Sequence, residues 1–122
     1  MLIENRDELV ADLRATADGG LRVVAEYDSE GYDAFYVRDD VAPRLADRAD
    51  EIHDDLVLQG IGREHLERLF DAGSLHCSMH RFDEVTAFHF VAAAHTGLFV
   101  SVDSDADVPL SSFAGLCKAR LP

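Results

Sequence analysis

The stretch from Leu75 to Asp103, LHCSMHRFDEVTAFHFVAAAHTGLFVSVD, constrains the fold more than any other part of the sequence. It holds four of the six histidines and one of the two cysteines. Apolar and polar residues alternate through 75–81, 85–91 and 97–102, and side chains two residues apart share one face of a strand. The pattern therefore predicts three consecutive β-strands joined by two tight connections.

The connection between the first two of these strands also predicts their register. If Asp83 and Glu84 form a two-residue hairpin loop, Phe82 pairs with Val85. The facing pairs are then Cys77 with Phe90, Ser78 with His89, and Met79 with Phe88. We expect the sulfur and phenyl groups of these pairs to point inward and the imidazoles to lie on the opposite side of the sheet.

The residues before this stretch predict two helices and two strands. Asn5 with Glu8 three residues later is a capping-box pattern that begins a helix over 5–17. Two β-rich runs, 21–27 and 32–37, are separated by a four-residue turn. Acidic residues at 39–40 and apolar residues at helical spacing then predict an amphipathic helix that runs to about Gln59.

Two further helices complete the predicted order. Residues 63–71 form a short helix that is expected to bury three apolar side chains, Leu66, Leu69 and Phe70. Pro109 begins the last helix, since proline is favoured at the first helical position. The order α-β-β-α-α-β-β-β-α predicts a single α+β domain over 1–122, with a five-stranded antiparallel sheet and helices on both faces. A chain of 122 residues can bury such a core without a cofactor, and none is predicted.

Charge is the strongest global signal, with 24 acidic residues against 11 basic ones and a formal net charge of −13. Sixteen of the acids are Asp, and Lys118 is the only lysine. Such a surface repels phosphate, so neither nucleic-acid nor anionic-membrane binding is expected. Many short carboxylates, with Arg in place of Lys, favour a halophilic protein, in which molar salt with a Debye length of about 3 Å screens the self-repulsion. An ordinary acidic protein kept soluble by its charge is the alternative.

The N-terminus and the cysteines bear on location. MLIENRDELV has an acidic helix start where a signal peptide has a basic and then an apolar segment, so we expect a cytoplasmic protein. Cys77 and Cys117 lie far apart in the sequence on predicted apolar faces. They are interpreted as buried free thiols rather than as a disulfide or a metal pair.

The order of elements resembles the roadblock/LC7 and wider profilin-like architecture. In those domains a five-stranded antiparallel sheet carries the first and last helices on one face and a middle helix on the other. Two blocks, YDSEGYDAFYVRDDV and GIGREHLERLFDAGSLHCSMHRFDE, also look like small acidic haloarchaeal proteins of a family without assigned function. The resemblance implies the fold and supports the salt interpretation, and it implies no catalytic residue.

Three histidines, His76, His80 and His89, are the candidate metal ligands, because the predicted register places them on one sheet face. Neutral imidazoles bind zinc, copper or nickel, and three on a rigid sheet could hold an ion with water completing the shell. The alternative is that they lie on a half-polar face covered by the middle helices, or in a subunit interface, each hydrogen-bonded.

No catalytic motif is present: the sequence has no P-loop, GxGxxG, GxSxG, HExxH or CxxC. The leading hypothesis is a non-enzymatic domain that forms a homodimer and acts through protein contacts, since an open sheet has two edges that must be paired, covered or blunted. A small-molecule or metal sensor that uses the histidine face is the alternative. An enzyme is the third hypothesis, and no nucleophile or base can be assigned to it.

Overall fold

The computed structural model describes residues 2–122 and confirms the predicted α+β fold and element order. The helices are α1 (Arg6–Ala17), α2 (Ala42–Ile61), α3 (Arg63–Phe70) and α4 (Leu110–Ala119). The strands are β1 (Leu21–Tyr27), β2 (Tyr32–Val37), β3 (Cys77–Arg81), β4 (Val85–Ala93) and β5 (Thr96–Asp103). They form one antiparallel sheet in the order β2-β1-β5-β4-β3, so β2 and β3 are its edges.

The hairpin of β3 and β4 has the predicted register. The Phe82 N–H donates to the Val85 carbonyl oxygen at 2.7 Å, which closes the two-residue loop. The facing pairs are Cys77 with Phe90, Ser78 with His89, Met79 with Phe88, His80 with Ala87, and Arg81 with Thr86. The prediction that the whole apolar side of this hairpin is interior holds for β4 and fails for Met79, which is 43% exposed because β3 is an edge strand.

The main core lies between one face of the sheet and helices α1 and α4. Helix α1 contributes Leu9 and Leu13, α4 contributes Phe113 and Cys117, and all four are fully buried. The Phe113 ring lies 4.9 Å from that of Phe88, centroid to centroid. The buried sheet residues of this core are Leu21, Val24, Phe88, Phe90, Leu98, Val100 and Val102. Burial of apolar surface on this scale is the main force that stabilises the fold.

Helix α2 covers the other face, but only in part. A smaller cluster of Val23, Ala25 and Val41 is packed against the partly buried Leu45 and Phe99. Within α2 itself only Ala49 and Leu56 are buried. α2 has 20 residues and is the longest helix, and no helix among residues 2–122 is both long and apolar enough to cross a membrane.

Gly97, at the start of β5, permits a close approach that fixes how the strands meet. A Cβ at this position would overlap the carbonyl oxygen of Phe90 and the ring of Tyr27. Only glycine removes that conflict, because it has no side chain. The Tyr27 ring can therefore lie across β5 and reach β4.

Three local predictions about the helices are wrong. Asp39 and Asp40 lie before α2, and the first turn of α2 contains no acidic residue. Asn5 precedes α1 as predicted, but its side chain makes no capping hydrogen bond, and the Leu9 N–H bonds to its backbone carbonyl oxygen instead. Helix α3 buries none of its residues, and Phe70 is 72% exposed. Helical spacing correctly places the apolar side chains of α3 on one face, but nothing in residues 2–122 covers that face.

An ion-pair cluster ties the end of β5 to the loop that leads into α2. Asp103 accepts hydrogen bonds from Arg38 at 2.7 and 2.9 Å and from Arg22 at 3.0 Å. These guanidinium contacts, chiefly those of Arg38, hold the pKa of Asp103 below its ordinary value. The cluster positions the first turn of α2 against the sheet.

Candidate binding groove and open sheet edge

A groove of about 950 Å³ runs between α2 and the sheet and extends to the β3–β4 turn. It exists because α2 contacts β4 and β5 but does not cover the turn end of the β3–β4 hairpin, where residues 81–84 are exposed. Most of its lining surface is apolar. The apolar lining residues are Val23, Val41, Leu45, Ile52, Leu56, Phe82, Val85, Ala87, Phe88 and Phe99. Apolar volume of this size is typical of a site that is filled by a ligand or by another protein surface.

Charged side chains of both signs line the same groove. Arg44 and Arg48 project from α2, and Asp83 and Glu84 lie in the β3–β4 turn. Arg48 also pairs with Glu51 at 3.5 Å within the helix. Glu51 and Asp55 of α2 line it as well, so the groove combines an apolar floor with groups of both charges.

His89 joins the floor of the groove to α2. Its Nε2 lies 2.5 Å from the Tyr27 hydroxyl oxygen, and its Nδ1 lies 3.1 Å from Oε1 of Gln59. Because the amide oxygen of Gln59 only accepts, Nδ1 carries the proton, and Nε2 accepts the Tyr27 hydroxyl proton. The Gln59 amide nitrogen then donates to Asp55 at 2.6 Å. A chain of polar contacts thus attaches the end of α2 to β1 and β4.

Burial sets the protonation of this chain. His89 is only 2% exposed, and the loss of solvation lowers its pKa to about 4; His80 acts in the same direction and Asp55 opposes it. Burial also raises the pKa of Tyr27 to about 12. At neutral pH both groups are uncharged, as their mutual hydrogen bond requires.

The structure separates the three predicted metal ligands by environment. His89 is buried, with both ring nitrogens in hydrogen bonds. His80 is exposed on β3 and lines the groove, whereas His76 is exposed just before β3 and does not line it. Residues 2–122 contain no group of three or more His, Cys, Asp or Glu side chains placed to hold a metal ion. Within one chain the trio does not converge.

The two edges of the sheet differ in how they are protected. At β2, Arg6 of α1 pairs with Asp33 at 2.8 Å and lies 5.0 Å from the Phe35 ring centroid, and Arg14 lies 5.5 Å from the Tyr36 ring. A register shift in the β1–β2 pairing adds local irregularity. Bulges and charged side chains of this kind discourage a further strand from pairing.

Edge β3 pairs with β4 without a register shift, and its Arg81 side chain is turned to the Ser104 carbonyl oxygen, to which it donates at 3.1 Å. Along an antiparallel strand, every second residue directs its N–H and C=O groups to the neighbouring strand. Because Phe82 bonds to Val85, residues 78 and 80 are the ones that direct these groups to β4. Cys77, Met79 and Arg81 then direct their N–H and C=O groups away from the sheet. These three residues form a free template for one more antiparallel strand.

Several large apolar side chains are exposed near the ends of α2, α3 and β3. The set comprises Leu58, Ile61, Leu66, Leu69, Phe70, Met79 and Phe82. Helix α3 approaches the start of β3, where Glu67 accepts a hydrogen bond from the Leu75 N–H at 2.7 Å. Helical periodicity gave the apolar face of α3, but neither its exposure nor the groove could be read from the sequence, because both depend on where α2 docks.

The fold is an α+β domain whose architecture is similar to that of roadblock/LC7 domains. The solved structure of a roadblock/LC7 domain from Streptomyces avermitilis superposes with a TM-score of 0.55 at 16% identity, covering 86% of this chain and 84% of that one. A family model described as a domain of unknown function, DUF7522, matches residues 7–122. The chain belongs to that family. No curated protein matches its sequence.

Proposed function

We propose that the chain works as a homodimer that pairs through edge β3, and that it acts through protein contacts rather than by catalysis. The observation that carries the proposal is the free β3 edge, which lies beside exposed apolar residues while edge β2 is protected. Pairing of two β3 strands satisfies backbone groups and buries Met79 and Phe82 in one step. A self-complementary surface of this kind forms a closed two-fold dimer.

The directions of the β3 backbone groups determine the register of that pairing. Cys77, Met79 and Arg81 point outward, so an antiparallel two-fold arrangement centres on Met79 opposite Met79 of the second copy. Cys77 then pairs with Arg81 of the other copy on each side. The two five-stranded sheets become one sheet of ten strands, in which neither β3 is an edge.

The groove also favours a second copy of this chain as the partner. In the two-fold arrangement the open sides of the two grooves face each other across the joined strands. Arg44 and Arg48 on α2, and Asp83 and Glu84 at the turn, give each copy both signs of charge. A surface that carries both signs of charge complements a second copy of itself better than it complements a partner of one charge.

A proline at the centre of the edge tests the pairing. Met79→Pro removes an outward N–H that β4 does not use, so the monomer fold tolerates it, while the ring blocks a facing strand. Light scattering in molar KCl is expected to give twice the chain's mass for the wild type and for Met79→Ala, and a single chain's mass for Met79→Pro. A monomeric wild type over a wide concentration range contradicts the proposal.

We place the dimer in the cytoplasm of a cell with high internal salt. The support is the surplus of 24 acidic over 11 basic residues and the single lysine. Raising KCl from about 0.1 M to about 1 M shortens the Debye length from about 10 Å to about 3 Å and weakens repulsion among the carboxylates. The melting temperature is expected to rise over that range; a constant or falling value contradicts the halophilic proposal.

A small-molecule sensor is the second candidate function, and the groove favours it. Its volume of about 950 Å³ and its apolar walls suit an organic ligand. Thermal-shift screening of apolar compounds tests it, with Leu45→Trp as a variant that fills the groove. Stabilisation of the wild type but not of Leu45→Trp supports a sensor, and no stabilisation by any compound removes it.

A further inference from the structure

We propose that the two His80 side chains of the β3-paired dimer form an intersubunit site for a divalent transition metal of the zinc class. The inference rests on the proposed dimer, because one chain contributes a single imidazole. His80 is the one candidate ligand of the three that is both exposed and lines the groove. His80 is adjacent in sequence to Met79, which lies at the centre of the proposed pairing.

The register brings the two imidazoles together. With Met79 on the two-fold axis, His80 of one copy lies opposite Ser78 of the other, and the two His80 residues are diagonal neighbours on the same face. Diagonal positions on adjacent strands are about 7–8 Å apart at the backbone, within reach of long side chains that lean together. Metal–nitrogen bonds of about 2.0–2.1 Å allow one ion to bridge two such rings.

The groove that His80 lines holds four carboxylates and three guanidinium groups. His80 points into the groove below α2, where Asp55 of the same chain is also a lining residue. Carboxylates or water molecules can complete a tetrahedral shell around two imidazoles. The net charge of −13 per chain also raises the local concentration of cations.

The other two predicted ligands do not join this site. Both nitrogens of His89 are engaged by Tyr27 and Gln59, so His89 forms part of the floor and does not bind the ion. His76 lies before β3, and in this register it faces the end of the other copy's strand, near Phe82. The site thus differs from the three-histidine cluster predicted from the sequence, and it is incomplete without the second copy.

Untagged protein titrated with zinc chloride at neutral pH tests the site by calorimetry. The expected stoichiometry is one ion per two chains, with affinity reduced at least tenfold in His80→Ala. His65→Ala is the matched control, because His65 is an exposed histidine on α3, and it is expected to bind like the wild type. Asp55→Asn is expected to weaken binding less than His80→Ala does.

Light scattering in EDTA separates this inference from the dimer itself. A metal-free dimer that binds no zinc, or that binds equally well as His80→Ala, overturns the metal site and leaves the pairing intact. A wild type that is monomeric in EDTA and with zinc overturns the pairing and the site together. A dimer in EDTA that gains thermal stability with zinc only when His80 is present supports both.

Discussion

The two faces of the sheet are made from alternate residues of the same strands, yet they are built differently. Against α1 and α4, Phe88, Phe90 and Phe113 are completely or almost completely buried in a continuous apolar core. Against α2, the cover is partial, a groove of about 950 Å³ remains, and a polar contact through His89 attaches the helix. The first face holds the closed apolar core, and the second leaves an open groove.

The largest loss of stability is expected from a substitution in the closed core. Phe90→Ala leaves a cavity among fully buried residues and is expected to lower the free energy of unfolding by about 3–5 kcal/mol. Phe99→Ala, a neighbouring phenylalanine that borders the groove, is expected to cost less than half of that, because solvent already reaches its ring. Denaturant unfolding of both variants measures the difference, and equal losses contradict the contrast between the faces.

The groove face is expected to be sensitive to acid through His89. The pKa of His89 is about 4 in the folded protein against 6.5 when unperturbed, so the unfolded chain binds more protons between these values. The stability contributed by neutral His89 is therefore present above about pH 6.5 and is lost as the pH falls towards 4, by at most about 3 kcal/mol.

His89→Gln isolates that contribution, because the carboxylates titrate in both proteins. Unfolding free energies from about pH 7 to about pH 4 are expected to fall more steeply for the wild type than for His89→Gln. Parallel curves would show that His89 is not held neutral, and that α2 is not attached in the way described.

A smaller effect is expected from the hydroxyl of Tyr27. Tyr27→Phe leaves the buried Nε2 of His89 without its donor, at a cost of about 1–2 kcal/mol. Tyr32→Phe is the matched control, since that ring is 45% exposed, and its expected change is within about 0.5 kcal/mol. Equal losses of unfolding free energy in the two variants, measured in denaturant, would show that the Tyr27 hydroxyl does not donate to His89.

The fold and the register of the β3–β4 hairpin could both be predicted from the sequence. Period-two alternation, together with a loop of two residues at Asp83 and Glu84, leaves one register that keeps Phe88 and Phe90 on the same side. His89 could be assigned to the opposite face by the same argument. The resemblance to roadblock/LC7 domains supplied the layering.

The details of the site depend on contacts that are distant in the sequence. The partners of His89 lie 62 and 30 residues away, at Tyr27 and Gln59, and no local pattern connects them. Helical spacing gave the apolar face of α3 but could not say that Phe70 lacks a cover. The groove has the same origin, since it depends on where α2 lies over the sheet.

Hydrogen exchange at the amides of β3 tests the central claim most directly. The N–H groups of residues 78 and 80 bond to β4, so they are protected in any folded state, whereas those of Cys77, Met79 and Arg81 are protected only when a second strand pairs with this edge. At high protein concentration all five amides are expected to be protected; protection is expected to be lost at the three outward positions upon dilution, and at Cys77 and Arg81 in Met79→Pro. Rapid exchange at Cys77, Met79 and Arg81 at every concentration, with slow exchange at 78 and 80, would show that the edge stays free and would contradict that claim.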